Sequence, residues 1–308
     1  MGDMYELDED EIEQTEFWVA QCRRLGEQHE YIKALDAVDK ALAIDPESAF
    51  LWVEKGVVLQ DLERYEDALQ AAERAIELDP DDAMAWNDKG HVLRLLGKPA
   101  QALLAFETGL TLDSDEPLLW RNLGVTFIDL GQYQSAADAF KQAIAVDNTY
   151  ALAWIGLGVA LAHMGQHDKA LAAYDEATKC DPKCAESWYN RGNLLNQLGR
   201  YAEALQACDR ALQIEPEDAQ TWHARAIALA HQQRLEEAAE ACRQSIALAP
   251  NNHGAWIELG NLLVKLGHDH DALRAYDQAL MLDPNDADSK QRKEQIAQRL
   301  RASDISNV

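Results

Sequence analysis

Eight tryptophans stand along this chain at one spacing. They are Trp18, Trp52, Trp86, Trp120, Trp154, Trp188, Trp222 and Trp256, each 34 residues after the last, and there is no ninth. One bulky apolar residue at a constant long period means one structural unit written many times. Each unit buries its apolar face on its neighbours and not in a private core. That overrides the expectation of about two globular domains for a chain of this length. The longest uncharged apolar runs are far short of the roughly 20 residues that cross a bilayer. The first 14 residues, MGDMYELDEDEIEQ, hold seven acidic side chains and no basic one, unlike a secretory signal. Gly2 is followed by Glu6 where an N-acylation motif has Ser or Thr. These features predict a cytoplasmic chain with no membrane segment.

The net charge is −26. Nucleic acid and anionic membranes need a basic footprint, so both are excluded as partners. The segment from Ala287 to Val308 has five basic and three acidic residues, so the excess lies before it. The acidity serves either solubility and helix-dipole matching or the steering of a basic partner. The five cysteines are an odd number in a chain read as intracellular, which speaks against a disulfide framework. Cys180 and Cys184 form a lone pair without the second pair that a zinc site requires. No metal and no cofactor are expected.

Each unit is numbered from three residues before its tryptophan, so the units are 15–48, 49–82, 83–116, 117–150, 151–184, 185–218, 219–252 and 253–286. Apolar residues then fall at helical spacing in two blocks. In the fourth unit the blocks are Trp120, Leu123, Gly124, Phe127 and then Ala136, Phe140, Ala143. The indole is a wedge between helices. The glycine four residues later lets the second helix come close, at a cost of roughly 1 kcal/mol in helix propensity. Gly97, Gly131, Gly165, Gly199 and Gly267 sit where a first helix must end in a left-handed residue, and Glu63 and Gln233 replace that glycine in two units. Proline stops the second helix in most units, with Ser114 and Asn148 in its place in units three and four. Ser48, Asp82, Asp218, Asn252 and Asp286 are placed to cap the helix that follows.

The pattern W-x2-L-G-x2-Y, A-x3-F and P at period 34 resembles the tetratricopeptide repeat. The likeness covers residues 15–286. It implies an all-α, right-handed superhelical solenoid of eight helix-turn-helix units, making roughly one superhelical turn. A ninth tryptophan would fall at Lys290. Instead, residues 287–308 read as a capping helix and short tail, with Ile296 and Leu300 on its apolar side. Residues 1–14 read as a frayed acidic extension.

The resemblance also implies that the first helices line a concave groove which takes a peptide or a partner helix. The lining positions are two, five, six, nine, twelve and thirteen of each unit. Over all eight units they carry eight acidic and four basic residues, so groove binding is expected to depend little on salt. Two clusters stand out. Arg121, Asn122, Val125, Ile128, Leu152, Ile155 and Val159 give an apolar patch with polar edges, large enough to matter if exposed. Tyr189, Asn190, Asn193, Asn196 and Gln197 give an amide cluster. Asn is a poor helix former, and its side chain both donates to and accepts from a peptide backbone; the alternative is that one or two of these amides bond a neighbouring helix or water. Apolar burial should dominate affinity, so Ile155→Asp is expected to weaken binding more than Asn193→Ala, with the array still folded.

One subclass of this family clamps a chaperone C-terminal carboxylate with Lys, Asn and Arg residues. The best window here offers Asn87, His91, Asn122, Leu152 and Gly156, and it lacks the positive charge of the third helix. That partner is excluded. No Ser–His–Asp set, phosphate loop or HExxH is present, so no enzyme is expected. The expected function is a non-catalytic protein-interaction scaffold or adaptor that holds a peptide or helical segment. The alternative is a recruiting or regulatory subunit of an enzyme complex whose catalytic chain is separate.

Overall fold

A computed structural model describes residues 7–306, with side chains as far as Arg301. Among the described residues there are seventeen helices and no strand. In chain order they are α1 (Glu9–Glu27), α2 (Tyr31–Ile44), α3 (Ala49–Asp61), α4 (Tyr65–Leu78), α5 (Ala83–Leu95), α6 (Pro99–Leu112), α7 (Pro117–Asp129), α8 (Tyr133–Val146), α9 (Ala151–His163), α10 (His167–Cys180), α11 (Ala185–Gln197), α12 (Tyr201–Ile214), α13 (Ala219–His231), α14 (Leu235–Leu248), α15 (His253–Lys265), α16 (Asp269–Leu282) and α17 (Ala287–Ser306). They fall into two compact units, residues 1–160 and 161–308.

The turn inside each helix pair needs a left-handed residue. Gly131 takes it at φ 70°, and the next amide closes the helix end, with Gln132 N donating to Phe127 O at 2.8 Å. His29, Glu63 and Gln233 take the same conformation at φ 58°, 56° and 60°. The turn is therefore held by hydrogen bonds even where a Cβ is strained. Asp82, Asp218, Asn252 and Asp286 cap their helices as expected, and Glu116 caps α7. Ser48 makes no side-chain cap.

The tryptophans do more than fill space. The indole Nε1–H donates to the backbone carbonyl six residues earlier in seven of the eight, at 2.8 to 3.3 Å. Each bond ties a first helix to the loop that leads into it. Ser114 and Asn148 accept as well as the prolines do, because the acceptor is main chain. Trp18 has no such loop, since α1 is already running at Ile12.

One expectation for the ends changes. Residues 9–14 are helical and not frayed. Asp8 accepts from Glu11 N while the Glu11 carboxylate accepts from Asp8 N, and Glu9, Asp10 and Glu11 occupy the positive end of the helix dipole. The acidity that spoke against packing is what starts α1. Residues 1–6 lie outside the described residues. At the other end α17 buries Ile296, and it also continues the register of a first helix. Asp286 caps it, Lys293 pairs with Asp277, and Arg292 bonds Asn261 at 2.9 Å.

Candidate functional site

In the first unit the predicted patch divides. Val125, Ile128 and Val159 are half-buried, and Leu152 is 36% exposed. Ile155 is 3% exposed. Its side chain belongs to the core, so Ile155→Asp would test folding and not binding, which corrects the expectation above. Asn122 is also buried, at 5%, and its amide is spent. Its Nδ2 donates to Asn87 Oδ1 at 2.8 Å, and its Oδ1 accepts from Arg121 Nη1 at 2.9 Å. Asn87 in turn donates to Asp88 Oδ1 at 3.3 Å. This chain of polar groups links α5 to α7. Burial pushes the Asp88 carboxyl up to about 6, partly offset by the Asn87 bond. Nearby, His91 bonds Gln60 Oε1 through Nδ1 at 2.7 Å, and burial lowers its pKa.

In the second unit the amides also divide. Asn196 is 9% exposed and donates to the Ala224 carbonyl at 2.8 Å, so it bonds a neighbouring helix. Gln197 is exposed. Asn190 and Asn193 are half-buried, and neither forms a hydrogen bond among the described residues. Asn193 lines a cavity of about 480 Å³ with Tyr189, His223, Ile227 and Asn252. Asn190 lines a second of about 320 Å³ with Tyr189, Glu186 and Gln220. Tyr189 is common to both. Burial raises the pKa of its phenol, which keeps the hydroxyl as a donor. Burial lowers the pKa of His223, so the ring that faces the larger cavity is neutral near pH 7. The larger recess, lined by the Asn193 amide, a phenol and a neutral imidazole with no charged side chain, suits main-chain groups of a peptide more than a charged side chain.

One recurring feature escaped the sequence reading. Position seven of the first helix is Gln21 in the first repeat and Leu in repeats four, five and eight, but basic in the other four. There it pairs with an acid sixteen residues earlier, on the preceding second helix: Lys55 with Asp39 at 2.8 Å, Lys89 with Glu73 at 3.1 Å, Arg191 with Asp175 at 2.6 Å and Arg225 with Asp209 at 2.7 Å. Lys55, Lys89 and Arg225 also lie over Trp52, Trp86 and Trp222. The acid-to-base spacing of sixteen at period 34 was the available signal. Such exposed pairs contribute about 0–1 kcal/mol each, and they set register more than stability.

The five cysteines form no disulfide. Burial pushes the thiol of Cys22 up to about 11 and that of Cys208 up to about 12, which suits core filler and not reactive thiolate. Among the described residues no group of His, Cys, Asp and Glu is placed to hold a metal ion, and no helix is long and apolar enough to cross a membrane.

The sequence matches the family model described as cilia and flagella-associated protein 70 C-terminal domain over residues 85–296, and the tetratricopeptide repeat model over residues 49–82. No curated protein matches it. Among solved structures it resembles the APC/C hetero-tetramer Cut9–Hcn1, with a TM-score of 0.68 at 16% identity, covering 91% of this chain and 55% of that one. It resembles yeast Tom70 with a TM-score of 0.60 at 18% identity, covering 90% and 59%. A MamA fragment (41-end) from Desulfovibrio magneticus RS-1 gives 0.51 at 21% identity, covering 56% of this chain and 97% of that one. The chain thus spans a little over half the length of the first two, and these likenesses show an all-α helical-repeat fold. Helix pairs in tandem, a tryptophan latch at period 34 and a family model matching more than half the chain agree: the chain belongs to this family of tetratricopeptide repeats.

Proposed function

We propose that the chain is a protein-interaction scaffold which holds an extended peptide segment on the first helices of its second unit. Repeat scaffolds of this type commonly mediate protein–protein interaction. The observation that carries the finer reading is the pair of unspent amides. Asn190 and Asn193 each line a cavity that Tyr189 also lines, and neither has a hydrogen-bond partner among the described residues. In a half-buried site an unmet amide is costly, and a peptide main chain meets both its donor and its acceptor. In the first unit Val125, Ile128, Leu152 and Val159 offer apolar contact, with Arg121 at the edge. Repeats over 15–286 and a cap over 287–308 are the proposed organisation.

The test is affinity capture from a native extract followed by mass spectrometry, with the wild-type chain beside Asn193→Ala. Recovery of peptide-bearing partners that Asn193→Ala loses about fivefold, the worth of roughly one neutral hydrogen bond, supports the reading. Equal recovery on both chains sinks it. One stoichiometric enzyme among the captured proteins would instead favour the recruiting-subunit alternative.

A further inference from the structure

The five cysteines fall into two groups. Cys22, Cys208 and Cys242 lie in the core, and burial pushes their thiols up. Cys180 and Cys184 are only half-buried, one at the end of α10 and the other just before α11. Cys184 is the N-cap residue of α11. At α5, α7, α13, α15 and α17 that place holds an oxygen: Asp82, Glu116, Asp218, Asn252 and Asp286 each accept from a backbone amide of the helix they start. Cys184 makes no side-chain cap. Its sulfur is a weak acceptor, so the first amides of α11 meet no side chain.

The same substitution strands a second group. Ser187, in the first turn of α11, is fully buried, and its Oγ has no hydrogen-bond partner. One repeat later, Asp218 and Thr221 hold the places of Cys184 and Ser187. Asp218 has its backbone at φ −83° and ψ 106°, and Cys184 at φ −78° and ψ 102°, so the two Cβ atoms stand alike on their helices. Asp218 Oδ1 accepts from Gln220 N at 3.2 Å. Its Oδ2 accepts from Thr221 N at 2.9 Å and from the Thr221 hydroxyl. A buried hydroxyl without a partner is costly. The unmet groups of α11 therefore call for an acceptor oxygen two bonds beyond the Cβ of residue 184.

Oxidation of the thiol supplies that oxygen. A peroxide transfers one oxygen to Sγ, its O–O bond breaks and its other oxygen leaves as water, so the thiol becomes a sulfenic acid. A second peroxide repeats the step and gives a sulfinic acid, which loses its proton to form a sulfinate. A sulfinate has two oxygens and one negative charge, as far in bonds from Cβ as those of an aspartate carboxylate. The positive end of the α11 dipole favours that charge. We propose that Cys184 is a site of peroxide oxidation and that its sulfinate becomes the N-cap of α11, accepting from the amides of Glu186 and Ser187 and from the Ser187 hydroxyl. α11 also bears Asn190 and Asn193, but oxidation at Cys184 does not depend on what they bind.

The test treats the full chain with graded hydrogen peroxide, locates the added oxygen by mass spectrometry of its peptides, and follows amide hydrogen exchange before and after. Cys184 is expected to gain two oxygen atoms under conditions that leave Cys22, Cys208 and Cys242 unchanged. Exchange at Glu186 and Ser187 should then slow about fivefold, the worth of one N-cap. Cys184→Asp should show the slowed exchange without peroxide, and Cys184→Ala should keep fast exchange with it. Fast exchange in the sulfinate form or in Cys184→Asp overturns the proposal. So does a Cys184 that stays unmodified at peroxide concentrations which oxidise Met281, an exposed side chain of the same protein. A disulfide with Cys180 as the end product would also overturn it. That product loses two hydrogens, is reversed by dithiothreitol and does not form in Cys180→Ser, whereas the sulfinate resists dithiothreitol.

Discussion

The ring of Phe140 lies so close to Gly156 that a Cβ there would stand 2.2 Å from Cε1. Phe140 belongs to the second helix of the fourth repeat and Gly156 to the first helix of the fifth. The ring also faces Gly124 of its own repeat, where an added Cβ would lie 2.9 Å away. A glycine on each side makes the slot for one aromatic ring. Gly56 is the contrast, since its added Cβ would meet nothing nearer than 3.8 Å. Gly156→Ala should therefore destabilise by about 1–3 kcal/mol through overpacking. Gly56→Ala should stabilise by up to about 1 kcal/mol through helix propensity. Urea midpoints of the two variants will test this, and a stabilised Gly156→Ala would show that the slot is loose.

The strained turns offer a second test. Glu63 and Gln233 hold a conformation that costs an L-residue about 1–2 kcal/mol, at φ 56° and 60°. Glycine removes that strain but loosens the unfolded chain. Gln233→Gly should raise stability by about 0.5–1 kcal/mol, and Gly131→Gln should lower it by a similar amount. Thermal melts that move in the same direction for both would contradict the argument.

Asp88 gives the pH dependence. Burial raises its folded-state carboxyl to about 6, above the ordinary 3.8. Between those values the folded chain binds more proton than the unfolded one, so this group's contribution falls as pH rises through that window. Near neutral pH the charged carboxylate is a cost of about 3 kcal/mol at most. Asp88→Asn should abolish it, stabilising the chain at pH 7 and changing little near pH 4. The measurement is the difference in unfolding free energy between wild type and variant across that range. A difference that does not grow with pH would exclude Asp88 as its source.

The end helix is the fourth case. α17 buries Ile296 and spends Arg292, Lys293 and Arg299 on Asn261, Asp277 and Asp269. Ending the chain after Asp286 exposes the apolar face of the last repeat. The truncated chain should melt earlier and associate. Sedimentation of a monomer with an unchanged melt would deny α17 a capping role.

Much of this architecture was legible in the sequence because its determinants are local and periodic. Tryptophan every 34 residues, glycine or its substitute at the turn and an acid or amide at the cap each act on the residues beside them, so their spacing predicts helix, turn and helix. Which side chains remain available for binding was decided by the tertiary structure. Asn122 and Asn193 both occupy lining positions of their first helices. Asn122 meets Asn87 from the repeat before and is spent, whereas Asn193 faces a cavity and is not. Ile155 looked like its neighbour Val159 and is core. Register along one helix says which face a residue is on. How far the next helix covers that face depends on the sizes of side chains that come from different repeats, and no single period encodes that.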